Sequence, residues 1–335
     1  MSVPEPISAG LAKWAAETYG AGSGVHDVAP LPGNAGLGFS FRVAHDQGET
    51  RLVIRLAAPG VPERGPNDVL RQVPLLRALD AAGIPVAPVV WSTADPDWFG
   101  SSAVISAFIA GRPLHTTRAD LSADVPPEQI EDHVLAAVDV LADVHAVDWT
   151  AELAGWSEPA EPAEEIARWD RLFARAGAPE DAELAQRVSR ALGERPPAAS
   201  TVALRHGDYQ TNNVLFEGGR ITGVVDWELA GLGDPLLDVA WFGMFTDPAC
   251  WAEDQQARMR VVVDPDAIAR RYAEVTGSDL ATLDWHRALS RYAFATITGF
   301  NLKLHRSGKR VDPTWEQYAG SQRPLLESAA RLLRV

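Results

Sequence analysis

One stretch, RHGDYQTNNVLFEGGRITGVVDWE at residues 205–228, decides how this chain is read. Residues 214–216 and 221–225 are strand-like, and Gly218-Gly219 between them signals a hairpin turn. The midpoint of Asn213 and Asp226 falls beside that glycine pair, so the hairpin is expected to set these two side chains opposite each other at its open end. Asp208 lies five residues before Asn213, on the loop that enters the first strand.

Three oxygen-bearing side chains are thereby expected in one small region. Mg²⁺ takes hard oxygen ligands, commonly one or two side chains with water and phosphate completing the octahedron. Asn213 and Asp226 supply such a pair, and a separate Asp208 is placed to accept a proton from a hydroxyl. Phosphoryl transfer requires this division of labour, because its catalysis is mostly positioning and charge neutralisation. A lone aspartate in a loop is by default a cap. At these spacings the catalytic reading outranks that one.

The ordered set His206-x-Asp208-x4-Asn213, then Asp226-Trp-Glu228, then Gly233-Asp234-Pro235-x2-Asp238, resembles the aminoglycoside phosphotransferase/choline kinase family. The stretch around residues 292–308 resembles the phosphotransferases related to the kinase part of acyl-CoA dehydrogenase fusions. The resemblance implies an α+β, protein-kinase-like fold of two lobes and an ATP- and Mg²⁺-dependent transfer to a hydroxyl of a small molecule. It implies Asp208 as catalytic base, Asn213 and Asp226 as metal ligands, and His206 as a buttress of the catalytic loop. Asp234 and Asp238 would organise the site, with Glu228 close behind it.

In the N-terminal lobe, Gly33, Gly36 and Gly38 occupy the place of the phosphate-covering loop. Main-chain atoms around Ser106, Ala107, Phe108 and Ile109 fall where the family holds adenine. Two positions depart from the kinase pattern. Arg55 stands where a phosphate-binding lysine is usual, and Gln72 stands where its partnering glutamate is expected. Arginine keeps the charge and adds a fork of donors, and Gln72 can accept a hydrogen bond from it.

Outward from the motif, the first third reads as strands with one helix. Strands are expected at 39–43, 51–56, 86–91 and 103–108, and a helix from an Asn67 cap to about 82, with Pro74 a possible kink. The lobe boundary is placed at 110/111, giving an N-lobe of 1–110 and a C-lobe of 111–335. Helices are expected at 127–147, 163–176, 180–193, 236–246, 264–276, 280–306 and 318–334. The acceptor pocket is expected between the 163–193 region and the C-terminal helices. His145 reads as a core or capping histidine, and Asp284 and His286 as surface residues.

The 335 residues are 46% hydrophobic and 22% charged, which excludes a disordered or fibrous chain. A single cysteine, Cys250, excludes an internal disulfide framework and a cysteine-rich zinc site. The net charge of −15, with no Lys/Arg cluster, speaks against a nucleic-acid partner and an anionic membrane. No apolar run is long enough to span a bilayer, and MSVPEPISAG does not read as a signal peptide, so the cytoplasm is expected. The acceptor stays open between an aminoglycoside-like compound, another hydroxylated metabolite and a hydroxyacyl-CoA. Arg55 and Gln72 keep open a chain that binds nucleotide without transferring phosphate. No βαβ pattern with a downstream acid surrounds the glycines, which argues against a dehydrogenase. No Gly-x-Ser-x-Gly elbow supports a serine hydrolase.

Overall fold

A computed structural model describes residues 4–31, 37–58, 60–176, 178–197 and 201–335. The chain divides into two units. One comprises Met1–Gly111 with Thr150–Trp156 and Thr222–Leu229; the other comprises Arg112–Trp149, Ser157–Ile221 and Ala230–Val335. Two short segments from later in the chain thus return to the N-terminal unit.

The first unit opens with α1 (Glu5–Tyr19), then β1 (Gly24–Pro30), β2 (Leu37–His45), β3 (Gly48–Leu56), α2 (Gln72–Ala81), β4 (Val89–Thr93) and β5 (Ala103–Ala107). The strands pair antiparallel in the order β1-β2-β3-β5-β4. Alternation decides which face is covered: Phe39, Phe41 and Val43 of β2 and Leu52, Ile54 and Leu56 of β3 are buried. Ile7, Leu11 and Trp14 of α1 pack on that apolar face. Gly10 brings the helix against the strand connection, where an added Cβ would collide with the Trp98 main-chain oxygen and the Phe99 ring.

The helix expected from Asn67 is assembled differently. Two 3-10 turns, Gly65–Asn67 and Val69–Arg71, come first, and the cap is Asp68, which accepts from the Leu70 and Arg71 amides at 3.0 and 3.1 Å. Because α2 starts at Gln72, Pro74 sits in its first turn, where a missing N–H costs nothing and no kink is needed.

The second unit is mostly helical. In chain order it runs β6 (Arg112–Pro113), α3 (Ile130–His145), α4 (Trp149–Glu152, which runs on into the first unit), α5 (Pro162–Ala176), α6 (Ala182–Glu194), β7 (Ala203–Arg205), β8 (Val214–Glu217) and β9 (Arg220–Val224, which also runs on into the first unit). It continues with β10 (Gly231–Gly233), α7 (Leu236–Thr246), α8 (Glu253–Gln256), α9 (Pro265–Thr276), α10 (Leu283–Arg306) and α11 (Gln322–Leu333). The expected hairpin forms as β8 and β9, in the sheet order β6-β8-β9, and its turn glycines have φ of 55° and 78°. β7 pairs with β10. α10 is buried along most of its length and carries Trp285, Leu289, Tyr292 and Phe294 into one core with α5, α6, α7 and α11. Cys250 lies in that core. Arg291 Nε donates to its sulfur at 3.1 Å, the thiol donates to Asp247 at 3.2 Å, and burial pushes it up to about 12.

Replacing Gly10 by alanine is expected to destabilise the chain by about 1–3 kcal/mol, the usual range for forcing extra volume into a packed contact. Denaturant melts of Gly10→Ala against the unmodified chain measure it.

Candidate active site

The loop after β7 is held from behind. Asp238, in the first turn of α7, accepts the His206 amide at 2.6 Å and the Gly207 amide at 3.0 Å, one on each carboxylate oxygen. His145 Nε2 approaches Asp238 Oδ2 at 3.2 Å, and its other ring nitrogen meets the Tyr272 hydroxyl at 2.8 Å. Burial alone would raise the Asp238 carboxyl. The hydrogen bond and charge of His145, aided by Arg205 and His206, outweigh it, and the group ionises below its usual range. His145 is the core histidine its position suggested. Gly207 has φ of 82°, a left-handed turn that lets both amides converge on one carboxylate.

This turn presents Asp208. Its Oδ1 accepts from Trp241 Nε1 at 2.8 Å and Gln210 Nε2 at 2.8 Å, and its Oδ2 accepts from Asn213 Nδ2 at 3.1 Å. The Asn213 amide nitrogen also bonds the Asp208 carbonyl at 2.9 Å. With its nitrogen committed, Asn213 has its oxygen as the atom to offer a cation. The Asp208 amide donates to His206 Nδ1 at 3.2 Å, and His206 itself is fully buried. Burial, with the Asp208 charge, pushes the Tyr318 hydroxyl up to about 12.

Asp234 caps α7 through the Leu236 amide at 2.9 Å, and His286 Nε2 lies 2.9 Å from its second oxygen. His286 is therefore buried, not superficial as its sequence neighbours implied; Asp284 is exposed.

In the first unit, Arg55 of β3 is register-paired with Gly38 of β2, and its guanidinium lies 3.4 Å from Asp226 Oδ1. The hydrogen bond anticipated between Arg55 and Gln72 is not among the contacts of the described residues; Gln72 is buried at the start of α2. Asp226 has φ of 71°, an uncommon left-handed conformation for a residue with a side chain. Glu228 follows in a 3-10 turn, half-buried. Ser106 and Ala107 end β5; the Ala107 and Phe108 amides bond the Pro88 and Arg51 carbonyls at 2.9 and 3.1 Å, and Ile109 packs against Gly223. Gly33 and Gly36 lie outside the described residues.

Among the described residues, no three His, Cys, Asp or Glu side chains gather to hold a metal. Asn213 offers an amide oxygen and Asp226 a carboxylate, donor chemistry that suits Mg²⁺ better than zinc. Residues 33–270 match the model of the phosphotransferase enzyme family, more than half of the chain. This chain belongs to that family.

Among relatives of this phosphotransferase, acyl-CoA dehydrogenase family member 11 of Pongo abelii is 27% identical over 299 residues, covering 85% of this chain but 38% of that protein. Hygromycin-B 4-O-kinase of Escherichia coli is 39% identical over 75 residues, 22% of this chain and 19% of that protein. The chain thus spans well under half the length of both curated relatives. A Ralstonia eutropha protein provisionally classed as an aminoglycoside phosphotransferase superposes with a TM-score of 0.78 at 21% identity, covering 97% of both chains. Macrolide 2'-phosphotransferase from Brachybacterium faecium gives 0.60 at 22% identity, covering 95% and 98%. An aminoglycoside phosphotransferase variant holding ADP and hygromycin B gives 0.60 at 18%, covering 96% and 99%. The fold is that of these kinase-like proteins, with a β-sheet N-terminal region and a helical C-terminal region.

Residue spacing in the phosphotransferase motif did not point to Trp241, Gln210 or Tyr318. A cavity of about 630 Å³ is lined by Phe173 of α5, Gln186, Ser189 and Arg190 of α6, and Tyr292 of α10. On its wall Asp170 accepts from Tyr292 at 2.6 Å and Ser189 at 2.9 Å. Among the described residues, no helix is long and apolar enough to cross a membrane.

Because the native Asp238 carboxyl is depressed, the stability it confers is complete above the unfolded carboxylate value of about 3.9 and is lost as pH falls through the lower native value. Asp238→Asn is expected to flatten this acid limb in melting temperatures recorded from pH 6 to pH 2. Asp238→Ala, which leaves its partners buried and unpaired, is expected to cost about 3–5 kcal/mol.

Proposed function

We propose that this phosphotransferase moves the γ-phosphoryl group of ATP onto a hydroxyl of a small molecule. Asp208 orients that hydroxyl and takes its proton. The acceptor oxygen forms the new bond to phosphorus, the bond from the γ-phosphorus to the bridging oxygen breaks, and ADP leaves. The observation that carries this reading is Asp208 itself, a carboxylate gripped by three side-chain donors on a loop whose backbone is clamped to α7. Such pre-set geometry is where catalysis of phosphoryl transfer resides.

Asn213 and Asp226 are the residues to hold Mg²⁺, which when bound neutralises phosphate charge. Arg55 serves the phosphates with its guanidinium, and β2 at Gly38 passes beside it. Gly33 and Gly36 are assigned, with Gly38, to covering the phosphates. Adenine is assigned to the main chain around Ser106–Ile109, where the Ala107 and Phe108 amides are already bonded to Pro88 and Arg51. The acceptor region is assigned to the cavity between α5, α6 and α10. A hygromycin-like aminoglycoside is one acceptor class, after the relative named for that activity. The longer alignment with acyl-CoA dehydrogenase family member 11 favours a hydroxyacyl-CoA thioester as the second. The cytoplasm, where ATP is abundant, is the site of action.

Saturating Mg²⁺-ATP, at about 100 times its Kd, is expected to stabilise the chain by about 2.7 kcal/mol. Asp226→Ala should lose that thermal shift, and an unshifted unmodified chain would overturn the nucleotide site. In ADP-release assays with hygromycin B or a hydroxyacyl-CoA as acceptor, Asp208→Asn is expected to lower turnover roughly 10²–10⁴-fold. Near-full activity in that variant removes Asp208 as base. ATP binding without ADP release for either acceptor would restore the reading of a nucleotide-binding, non-transferring chain.

A further inference from the structure

α7 meets the catalytic loop twice. Asp238 takes the loop's backbone amides, and Trp241, three residues on and therefore on the same helix face, takes its side chain: Trp241 Nε1 lies 2.8 Å from Asp208 Oδ1. We propose that Trp241 is a positioning residue for phosphoryl transfer, fixing the rotamer of the Asp208 carboxylate so that it faces the acceptor hydroxyl. The inference rests on Asp208 acting as the base.

Three observations carry it. Trp241 is only 7% exposed, and a buried indole N–H needs an acceptor. Its ring has no room to turn away, since it meets Phe245 and Phe294 edge-on, with centroids 5.8 Å apart in both pairs. Gln210 and Asn213, which also donate to Asp208, lie on the same loop as it, whereas Trp241 stands on a helix that α10 buries. The indole thus gives the carboxylate a reference point outside the loop. Hydrogen bonds to charged groups are the stronger kind, so its removal should be visible in turnover.

The test measures ADP release from Mg²⁺-ATP with water as the hydroxyl acceptor, a probe that needs no knowledge of the natural one. Trp241→Phe keeps a ring and removes the N–H; its kcat should fall roughly 10- to 100-fold with the KM for ATP unchanged. Leu326→Ala opens the same helical core on α11 but leaves the N–H in place, and should lower the melting temperature while kcat stays within about threefold. Adding Trp241→Phe to Asp208→Ala should change nothing further, because the indole acts through the carboxylate. A Trp241→Phe rate within about threefold of the unmodified chain, or an equal further loss in the Asp208→Ala background, overturns the proposal while leaving the base assignment intact. Undiminished release by Asp208→Ala overturns the base and this inference together.

A readout independent of turnover and of variant stability is the Trp241 indole proton among the 11 tryptophans in a ¹H–¹⁵N spectrum. Identified by its loss in Trp241→Phe, it should shift upfield in Asp208→Ala. An unmoved resonance denies the hydrogen bond.

Discussion

The Asp238 carboxylate is 1% exposed, and a charge at that depth persists only where donors surround it. Here those donors are the His206 and Gly207 amides and the His145 ring. The arrangement works in both directions. The loop amides keep the buried charge satisfied, and the charge keeps the loop in a left-handed turn that it would otherwise leave. His145 reaches Asp238 from α3, and Tyr272 reaches His145 from α9, so three helices converge on one carboxylate. Relaxing any of them would expose the unsatisfied remainder.

Much of the fold was legible because its signals are local. The Gly218-Gly219 turn requires positive φ at both residues, and that requirement is written in the residues themselves. α7 falls at residues 236–246 as read, because Pro235 and the Asp234 cap punctuate its start. α1 is harder to read although Ile7, Leu11 and Trp14 recur at helical spacing, because the early prolines resemble a breaker until they are placed at the helix start. The Asn67 cap moved by one residue to Asp68, a shift between two residue types that cap equally well.

The site was legible only in part, for a different reason. His206, Asp208 and Asn213 occupy eight consecutive positions, and their mutual geometry is a property of one loop. Trp241 is 33 residues from Asp208, Arg55 is 171 from Asp226, and Tyr292 is 122 from Asp170. No spacing rule links such pairs, because tertiary packing alone brings them together. His286 illustrates the same limit: with Asp284 on the other side of Trp285 it reads as surface, yet the helix turns it inward onto Asp234.

Cys250 has a practical corollary. Thiol reagents attack the ionised sulfur and need access to it. This sulfur is wholly enclosed, bonded to Arg291 and Asp247, and held in its protonated form well beyond neutral pH. It is also the chain's single cysteine. The native protein is therefore silent to alkylation, and modification follows only when the core around α10 opens. The molecule carries a built-in chemical clock, in which the pace of labelling reports how often its helical region comes apart.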